Sequence, residues 1–521
     1  GKAAAVKKAD STVVKVDLEG LRDRLVALPI PAGRYGRLSS ATDQALYLRV
    51  TGRDEKPRLF AWKFKDRKET DLGQLDEYSL SANGKKMLVR QNKTWAIIDL
   101  PSAAVEIKEK LDLTAMDMNV DPRAEWNQIF NECWRQMRDF FYAPNLHGVD
   151  WPAVRQKYAA MLPSVRHRAD LTYVIGEMIS ELNVGHAYVG GGDRPQPKRV
   201  KTGLLGARLV RDSSSGYYRI VKILRGQNWN AKLRSPLTEI GVDVQEGDYL
   251  LAVDGRSTQN LTDPYAALLN TAGKQVTLTV NRKAETAGQR EVVVVPIDDE
   301  SGLYYYQWVQ SNIEKVNRAT GGRVGYLHVP DMGVAGLNEF VKYFYPQLQK
   351  KALIIDVRGN GGGNVSPMLI ERLRREITMI EISRNTTPST EPYQMLWGPK
   401  VCLIDEFSAS DGDLFPYQFK KLNMGKLIGK RTWGGVVGIR GSLPLLDGGY
   451  LNRPEFSRYD VEGKEWVIEG VGVEPDIVVD NDPAREFEGI DDQLNKAIEV
   501  VLQQLQTEEN AVPSAPPYPE K

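Results

Sequence analysis

The sequence predicts a multidomain α/β protein, and three observations support this fold class. A weak repeat of 42 residues covers about the first hundred positions. A helical period of apolar residues replaces the repeat near residue 116. From residue 303 onward, short apolar strands alternate with helices, which is typical of a buried, mostly parallel sheet. With 521 residues, the chain is long enough for several domains.

The composition is that of an ordinary globular protein and excludes several classes of function. Hydrophobic residues make up 41% of the chain, charged residues 26%, and the formal net charge is +1. Because no basic patch dominates, we expect no nucleic-acid partner. We find no apolar run of 18 residues and expect no membrane span. The two cysteines, Cys133 and Cys402, cannot form a disulfide framework, and no His/Cys cluster indicates a zinc site.

Residues 1–115 are predicted to be the last blades of a truncated β-propeller. Leu38-Ser39 and Leu80-Ser81 lie 42 positions apart in similar strand–turn–strand patterns, and this spacing suits one four-stranded blade. Two blades cannot close a ring, and the opening GKAAAVKKAD resembles the middle of a longer polypeptide. We therefore expect an N-terminal region to precede this segment. A small β-meander is the alternative.

Residues 116–200 are predicted to be a helical region. Trp126, Phe130, Cys133 and Met137 recur at helical spacing and form one apolar face. Two further helices follow, and the region ends in the glycine-rich stretch NVGHAYVGGGD.

Three further segments complete the predicted organisation. Residues 201–302 show short strands and turns with one short helix, which indicates a β module. Residues 303–505 form the predicted α/β core. Residues 506–521 are polar and proline-rich, and we expect a disordered tail.

Two stretches of the core carry groups that could stabilise an oxyanion. In IIDVRGNGGGN, a strand ends in Gly361 to Gly363, and glycines there expose backbone N–H groups to a substrate oxygen. In DEFSASDGD, Ser408 and Ser410 stand at a predicted helix start, where the N–H of Asp411 is a second donor. The alternatives are an ordinary strand-end turn and a helix cap by Ser408 with Asp411 completing a capping box. Ser408 as cap and Ser410 as nucleophile are compatible.

Serine chemistry needs a base and an acid that orients the base. His186 lies in a glycine-rich loop and is the candidate base, whereas His328 lies in a strand pattern that favours a packed core histidine. Glu469 directly follows an apolar strand and precedes Gly470, which makes it the best placed carboxylate. A solvated strand-end glutamate is the alternative.

Five motifs, in their order and spacing, resemble tricorn-type serine proteases of the tail-specific (S41) superfamily. The likeness covers nearly the whole chain and implies late propeller blades, a helical region, a PDZ-like β domain and a crotonase- or ClpP-like α/β catalytic core. The motifs are ELNVGHAYVGGGD, DVRGNGGGNVS, SASDGD, LIGKRTWGGVVG and GVGVEPDIVV.

The resemblance implies a role for each matched residue. Ser410 matches the nucleophile, His186 the general base and Glu469 the acid of the charge relay. The N–H groups of Asp411 and of Gly362 or Gly363 match the oxyanion hole.

A further match concerns specificity. Glu381 falls where the family carries an acid that selects basic P1 side chains. A salt-bridged strand glutamate is the alternative interpretation of this residue.

Two positions depart from related patterns. Gly185 stands where the family often has a serine, so water or a backbone group would take the place of that hydroxyl. Gly435 stands where relatives with a serine–lysine dyad carry the lysine, and Lys430 is off position. The resemblance therefore favours a histidine base.

The β module resembles a PDZ domain, with GLLGARL as its carboxylate-binding loop and VQEGDYLLAVDGRST as its hairpin. Such a groove binds peptide C-termini by strand addition, or the module serves as a wall or hinge.

The resemblance implies a serine endopeptidase or oligopeptide-releasing peptidase that acts on peptides or unfolded proteins. It implies no metal, no organic cofactor, a homo-oligomer and a cytoplasmic location; a preceding signal peptide would instead indicate the periplasm. The alternatives are a crotonase-type CoA enzyme and a non-catalytic PDZ/propeller scaffold that binds peptides.

Overall fold

The computed structural model describes residues 17–41, 43–50, 52, 55–259, 261–441, 443–507 and 512–520. One compact unit ends at Val120, and a second begins at Asp121. The first 16 residues of the predicted propeller segment lie outside the described residues, as do residues 508–511 and 521 of the predicted tail. In the described ranges, no helix has both the length and the apolar character needed to cross a bilayer.

The first unit contains two antiparallel sheets, ordered β1-β2-β3-β4 and β5-β6-β7. Leu38-Ser39 lies in β1 and Leu80 ends β5, so the two repeats fall on the first strand of each sheet. Leu46, Leu59 and Met87 are fully buried and belong to one core. The strands are β1 (Arg34–Ala41), β2 (Gln44–Val50), β3 (Arg58–Lys63), β4 (Lys68–Gln74), β5 (Glu77–Leu80), β6 (Lys86–Gln91) and β7 (Thr94–Asp99).

The predicted helical region contains α1 (Pro122–Phe140), α2 (Trp151–Ala159) and α3 (Arg168–Ser180). Asp121 begins α1, since its side chain accepts hydrogen bonds from two amides of the first turn. Phe130, Cys133 and Met137 of the predicted apolar face are buried against α3 residues. The helical periodicity therefore identified the packed face correctly.

The β module is an antiparallel sheet in the order β14-β13-β11-β10-β9, with β12 paired to β11. The GLLG stretch forms a loop before β9, and the predicted short helix is the 3-10 helix Pro264–Leu268. The strands are β9 (Ala207–Arg211), β10 (Tyr218–Ile223), β11 (Tyr249–Val253), β12 (Arg256–Ser257), β13 (Val276–Asn281) and β14 (Arg290–Val294).

The core is a parallel sheet in the order β15-β16-β19-β20-β24 with helices on both faces. Successive β16 residues alternate between the two cores: Leu353 and Ile355 pack beside α5, α6 and α7, whereas Ala352 and Ile354 pack beside α4 and α9. This burial on both faces explains the continuous apolar strands of the sequence.

The elements of the core follow in chain order. They are α4 (Ser301–Ala319), β15 (Val324–His328), α5 (Val334–Phe344), β16 (Ala352–Asp356), α6 (Ser366–Leu373), β17 (Met379–Glu381), β18 (Ser389–Glu391), β19 (Lys400–Ile404), α7 (Asp411–Lys421), β20 (Lys426–Gly429), β21 (Gly438–Ile439), β22 (Tyr450–Asn452), β23 (Pro454–Phe456), β24 (Ile477–Val478), α8 (Pro483–Phe487) and α9 (Asp492–Thr507). Helix α9 continues beyond residue 505, and residues 512–520 are exposed without helix or strand. Other short 3-10 helices lie at Arg22–Arg24, Leu146–Gly148, Leu162–Ser164, Ala231–Leu233, Pro236–Thr238 and Tyr345–Gln347.

A small β connection joins the helical region to the core. Strand β8 (Tyr188–Gly190) pairs antiparallel with β22. Nearby, the side chains of Arg168 and Asp447 are almost fully buried and form an ion pair of 2.5 Å. Because breaking a buried pair leaves an uncompensated charge, this contact fixes the segment before β22 against α3. It thereby anchors the loop that carries His186.

Candidate active site

Ser410 occupies the turn between β19 and α7. Its φ of 58° and ψ of −118° are unusual for a residue with a side chain, and such strain is common at functional sites. Ser410 is the N-cap residue of α7, but its side chain makes no capping hydrogen bond. The Ser410 hydroxyl therefore does not cap α7.

The alternative interpretation of Ser408 as the helix cap is contradicted by the structure, in which Ser410 is the N-cap residue. Ser408 is fully buried, and its hydroxyl bonds to the carbonyl of Val357 at 2.9 Å and to Asp405 Oδ1 at 3.1 Å. The Asp411 carboxylate accepts hydrogen bonds from the amide and hydroxyl of Ser366, so it completes no capping box. Both side chains instead fix the serine turn to neighbouring elements.

The glycine corner after β16 lies against the serine turn, and Asn360 joins the two. Its carbonyl accepts from the amide of Ala409 at 2.8 Å, and its side chain bonds to the Val329 carbonyl at 2.8 Å and the Gly362 amide at 2.9 Å. A Cβ on Gly362 would lie 2.6 Å from Ser410 Cβ. Glycine is therefore required for this close approach.

Two amides near Ser410 remain available as donors. The N–H groups of Gly363 and Asp411 make no hydrogen bond within the described residues, and both residues line the cavity at Ser410. A Cβ on Gly363 would lie 2.0 Å from the Met332 carbonyl, which again requires glycine. The Gly362 amide, by contrast, is already bonded to Asn360.

His186 lies in the loop between α3 and β8, with a φ of 60°. Its ring packs edge-on to Trp433 and Tyr188, with centroid distances of 5.9 and 6.1 Å. His186 and Ser410 line the same cavity of about 900 Å³. The Nδ1 atom of His186 is buried and has no hydrogen-bond partner among the described residues.

Glu469 holds the backbone around His186. One carboxylate oxygen accepts from the Gly185 amide at 2.6 Å, and the other accepts from the amides of Val436 and Val437 at 2.6 and 2.8 Å. The carboxylate thus contacts the residue before His186, and no hydrogen bond to the described imidazole ring is present. The expected direct support of the ring is replaced by a contact through the backbone.

Burial lowers the pKa of His186 below its ordinary value of 6.5 because it disfavours the charged imidazolium. The charges of Glu469 and Asp413 oppose this shift, and the charge of Arg458 adds to it. The ring is therefore neutral at neutral pH, which is the form that accepts a proton.

Asp413 was not predicted from the sequence as a site residue. Its side chain is fully buried and accepts from the amides of Gly434 and Gly435 at 2.8 and 3.3 Å, and burial raises its pKa. Asp413 thereby holds Gly434 and Gly435 in place, and the amides of the next two residues, Val436 and Val437, donate to Glu469. An aspartate in the first turn of a helix is common for its charge alone, so its position in the sequence does not indicate burial. The one available signal was the Gly434-Gly435 pair further along the chain, whose amides donate to it.

Three other residues considered in the sequence lie away from this chemistry. His328 is buried, with ring contacts to the Tyr305 hydroxyl at 3.0 Å and the Arg358 carbonyl at 2.9 Å, so it is a core histidine. Glu381 is exposed, bonds to the Tyr393 hydroxyl and does not line the cavity. Lys430 forms ion pairs of 2.7 and 3.3 Å with Glu406 and Asp480.

The predicted carboxylate-binding loop of the β module is largely engaged within the chain. The amides of Gly203 and Leu204 donate to backbone carbonyls at 2.8 and 2.7 Å. The Gly206 amide donates to the Glu300 carboxylate at 3.1 Å. A side-chain carboxylate therefore occupies a donor that a peptide C-terminus would use, which favours a wall or hinge role over peptide capture.

Comparison with known families identifies three matching segments. The Tricorn protease C1 domain matches residues 122–180, the Tricorn protease PDZ domain matches residues 203–299, and Peptidase family S41 matches residues 323–479. The segment that carries Ser410 and Glu469 is thus similar to S41 peptidase domains.

Individual relatives extend this similarity. Tricorn protease homolog 1 of Streptomyces coelicolor is 35% identical over 525 residues, which cover 96% of this chain and 48% of that protein. Tricorn protease homolog of Saccharolobus solfataricus is 33% identical over 519 residues, covering 96% and 47%. A crystal structure of the tricorn protease aligns with a TM-score of 0.85 at 29% identity, covering 95% of this chain and 49% of that chain. The chain therefore spans about half the length of these relatives.

Proposed function

Because this chain belongs to the tricorn protease family, we propose that it is a serine endopeptidase with Ser410 as nucleophile, His186 as general base and Glu469 as the supporting acid. Membership confirms the resemblance found in the sequence. One observation carries the proposal: Ser410 and His186, far apart in the sequence, line one cavity beside two available amides. This combination is what acyl transfer by a serine requires.

In the proposed reaction, Ser410 Oγ attacks a peptide carbonyl while His186 accepts the hydroxyl proton. The imidazolium then protonates the leaving amine. The N–H groups of Gly363 and Asp411 stabilise the oxyanion, and the N-terminus of α7 adds partial positive charge. Of the two glycines in the sequence prediction, Gly363 is the better donor, because the Gly362 amide is bonded to Asn360. The role of Gly362 is then steric: without a Cβ, it lets the turn at Ser410 pack against the glycine corner.

Glu469 acts in this proposal through the backbone. Its carboxylate fixes the Gly185 amide and so the loop that orients His186, and its negative charge stabilises the imidazolium. A backbone group thereby takes the place of the serine hydroxyl that relatives often carry at position 185.

In the homo-oligomer that the resemblance implies, Glu381 of a second copy could select a basic P1 side chain. In the described part of one chain, the carboxylate that lines the cavity belongs to Asp411, and it is bonded to Ser366. Glu381 lies outside the cavity. The proposed substrates are peptides or unfolded proteins.

We also propose the finer architecture that the sequence predicted. The antiparallel order β1-β2-β3-β4 suits a propeller blade, and the parallel core with helices on both faces suits a crotonase-like fold.

The test combines covalent labelling with peptide cleavage. A fluorophosphonate probe should label wild-type Ser410 and should not label Ser410→Ala, and peptide cleavage should fall by at least about 10³-fold in that variant. Lys430→Ala, outside the cavity, should cleave within about twofold of wild type. Equal cleavage by wild type and Ser410→Ala defeats the assignment. Thioester hydrolysis without peptide cleavage supports the CoA enzyme, and peptide binding without labelling supports the scaffold.

A further inference from the structure

Arg458 places a positive charge in the catalytic cavity. Three described lining residues have side chains that can carry a charge at neutral pH, namely His186, Asp411 and Arg458. His186 is neutral there, and the Asp411 carboxylate is hydrogen-bonded to Ser366 and interacts with the Arg458 charge without forming a salt bridge to it. Arg458 forms no salt bridge in the part of the chain that the structure describes. Its guanidinium therefore remains available to a bound molecule.

The guanidinium of Arg458 is held in place but only partly used. Its Nη1 atom donates to the Val436 carbonyl at 2.7 Å, and its central carbon lies 5.4 Å from the centroid of the Phe456 ring. The Nε and Nη2 groups make no hydrogen bond within the described residues. The backbone carbonyl of Arg458 accepts from the Val467 amide at 3.1 Å, in the hairpin that leads to Glu469. Arg458 is thus positioned by the same segments that position the base.

A partly buried guanidinium without an ion pair is unfavourable, and burial lowers the pKa of Arg458, although the nearby Asp411 charge opposes this shift. Its planar N–H fork matches a carboxylate in a bidentate arrangement. A carboxylate on a substrate would supply the direct ion pair that Arg458 lacks among the described residues.

We propose that Arg458 binds a carboxylate on the leaving-group side of a peptide substrate, so that the enzyme selects peptides with an acidic group beside the scissile bond. The inference rests on the proposed peptidase function. The leaving-group side follows from His186, because the group that protonates the leaving amine must face it. Arg458 bonds to the Val436 carbonyl, and Glu469 holds both the Val436 amide and the amide of Gly185, the residue before His186, which places Arg458 and His186 on the same side of the cavity.

The bound carboxylate also assists the reaction. The Arg458 charge opposes protonation of His186, and the carboxylate neutralises it. This helps because His186 becomes positively charged in the transition state. Such a substrate should therefore show a higher kcat as well as a lower KM. The carboxylate comes from an Asp or Glu side chain or from the C-terminus of a short leaving peptide.

Three pairs of matched peptides test the proposal and separate the two sources. The pairs differ only on the leaving side: Asp against Asn, Glu against Gln, and a free against an amidated C-terminus. For wild type, kcat/KM should favour the carboxylate member by about 10- to 100-fold, the range for a hydrogen bond to a charged group. Arg458→Gln should reduce this ratio to about 1, and Arg458→Lys should give an intermediate ratio, because it keeps the charge without the planar fork. The pair that shows the effect identifies the source.

Other outcomes overturn the inference. A wild-type ratio near 1 in all pairs does so, as does an undiminished ratio in Arg458→Gln. If Arg458 only held Val436 in place, every peptide would lose the same factor and the ratio would not change. Should Arg458→Gln cleave nothing, fluorescence anisotropy of the same peptides on Ser410→Ala and on Ser410→Ala/Arg458→Gln decides, and equal binding overturns the inference. This binding comparison needs no turnover. If the wild type neither cleaves peptides nor reacts with the probe, that result counts against the proposed peptidase function and not against carboxylate binding by Arg458.

Discussion

The serine side and the histidine side of the cavity are built in different ways. On the serine side, the glycine corner and the turn at Ser410 follow the adjacent parallel strands β16 and β19, and Asn360 joins them with buried hydrogen bonds. On the histidine side, segments from separate parts of the chain meet at one carboxylate, that of Glu469. The Nδ1 atom of His186 is left unpaired among the described residues.

This difference indicates where the site is vulnerable. The serine side depends on backbone geometry at one edge of a sheet that is buried on both faces. The histidine side depends on three charge-assisted bonds to a single side chain. A single substitution should therefore damage the histidine side more severely.

The largest effect is expected for Glu469→Ala. Loss of the shared acceptor frees the amides of Gly185, Val436 and Val437, so kcat/KM should fall by about 10³-fold or more, given ~1.5–3 kcal/mol for each bond to a charged group. Steady-state kinetics measures the loss. Glu469→Gln keeps the shape with one amide oxygen and should lose less. Activity within tenfold of wild type in a folded Glu469→Ala variant contradicts the backbone role.

A smaller effect is expected for Asn360→Ala on the serine side. The substitution leaves the Val329 carbonyl and the Gly362 amide without their partner, which should lower stability by about 1–3 kcal/mol. A displaced oxyanion site should lower kcat by about 10²-fold. Urea unfolding and kinetics measure the two losses. Asn317→Ala is the matched control, because Asn317 bonds to Lys350 outside the cavity. Equal kcat for the two variants would contradict the proposed positioning.

The pH profile tests the state of the base on the histidine side. Because burial lowers the pKa of His186, the base is still neutral at pH 6.5, so kcat/KM should stay constant to below that pH and fall about tenfold per unit only below the lowered pKa. Arg458→Gln removes a neighbouring positive charge, so its acid limb should move to higher pH. A wild-type midpoint above 6.5 argues against a buried histidine base.

The smallest effect, and the only expected gain, concerns Gly185→Ser. A Cβ at this position would lie 3.2 Å from Glu469 Oε1 and 3.2 Å from Gly435 Cα, which is tight but leaves the hydroxyl beside the carboxylate. The hydroxyl should supply a side-chain link on the histidine side and raise kcat by about three- to tenfold. Gly185→Ala adds the same Cβ without the hydroxyl and should give no gain. If both variants behave alike, the backbone contact already suffices.

Much of the fold could be predicted from the sequence, because helix and strand periods are patterns among neighbouring residues. The period of α1 identified the buried Phe130 and Cys133, and the apolar strands predicted a sheet covered on both faces. The five ordered motifs pointed to Ser410, His186 and Glu469 as candidates. The sequence left Ser408 open as a helix cap, because no local pattern shows that the carbonyl of Val357, the residue after β16, accepts its hydroxyl.

By itself, the sequence determined which residue types are available and which segments form strands and helices, since strand and helix periods are properties of neighbours along the chain. Only the tertiary structure decided which amide remains available beside Ser410, that Glu469 reaches the backbone of Gly185, and that Arg458 faces the cavity without an ion pair. These outcomes depend on contacts between segments far apart in the chain, and hydrogen-bond satisfaction among buried groups is settled only when those segments pack.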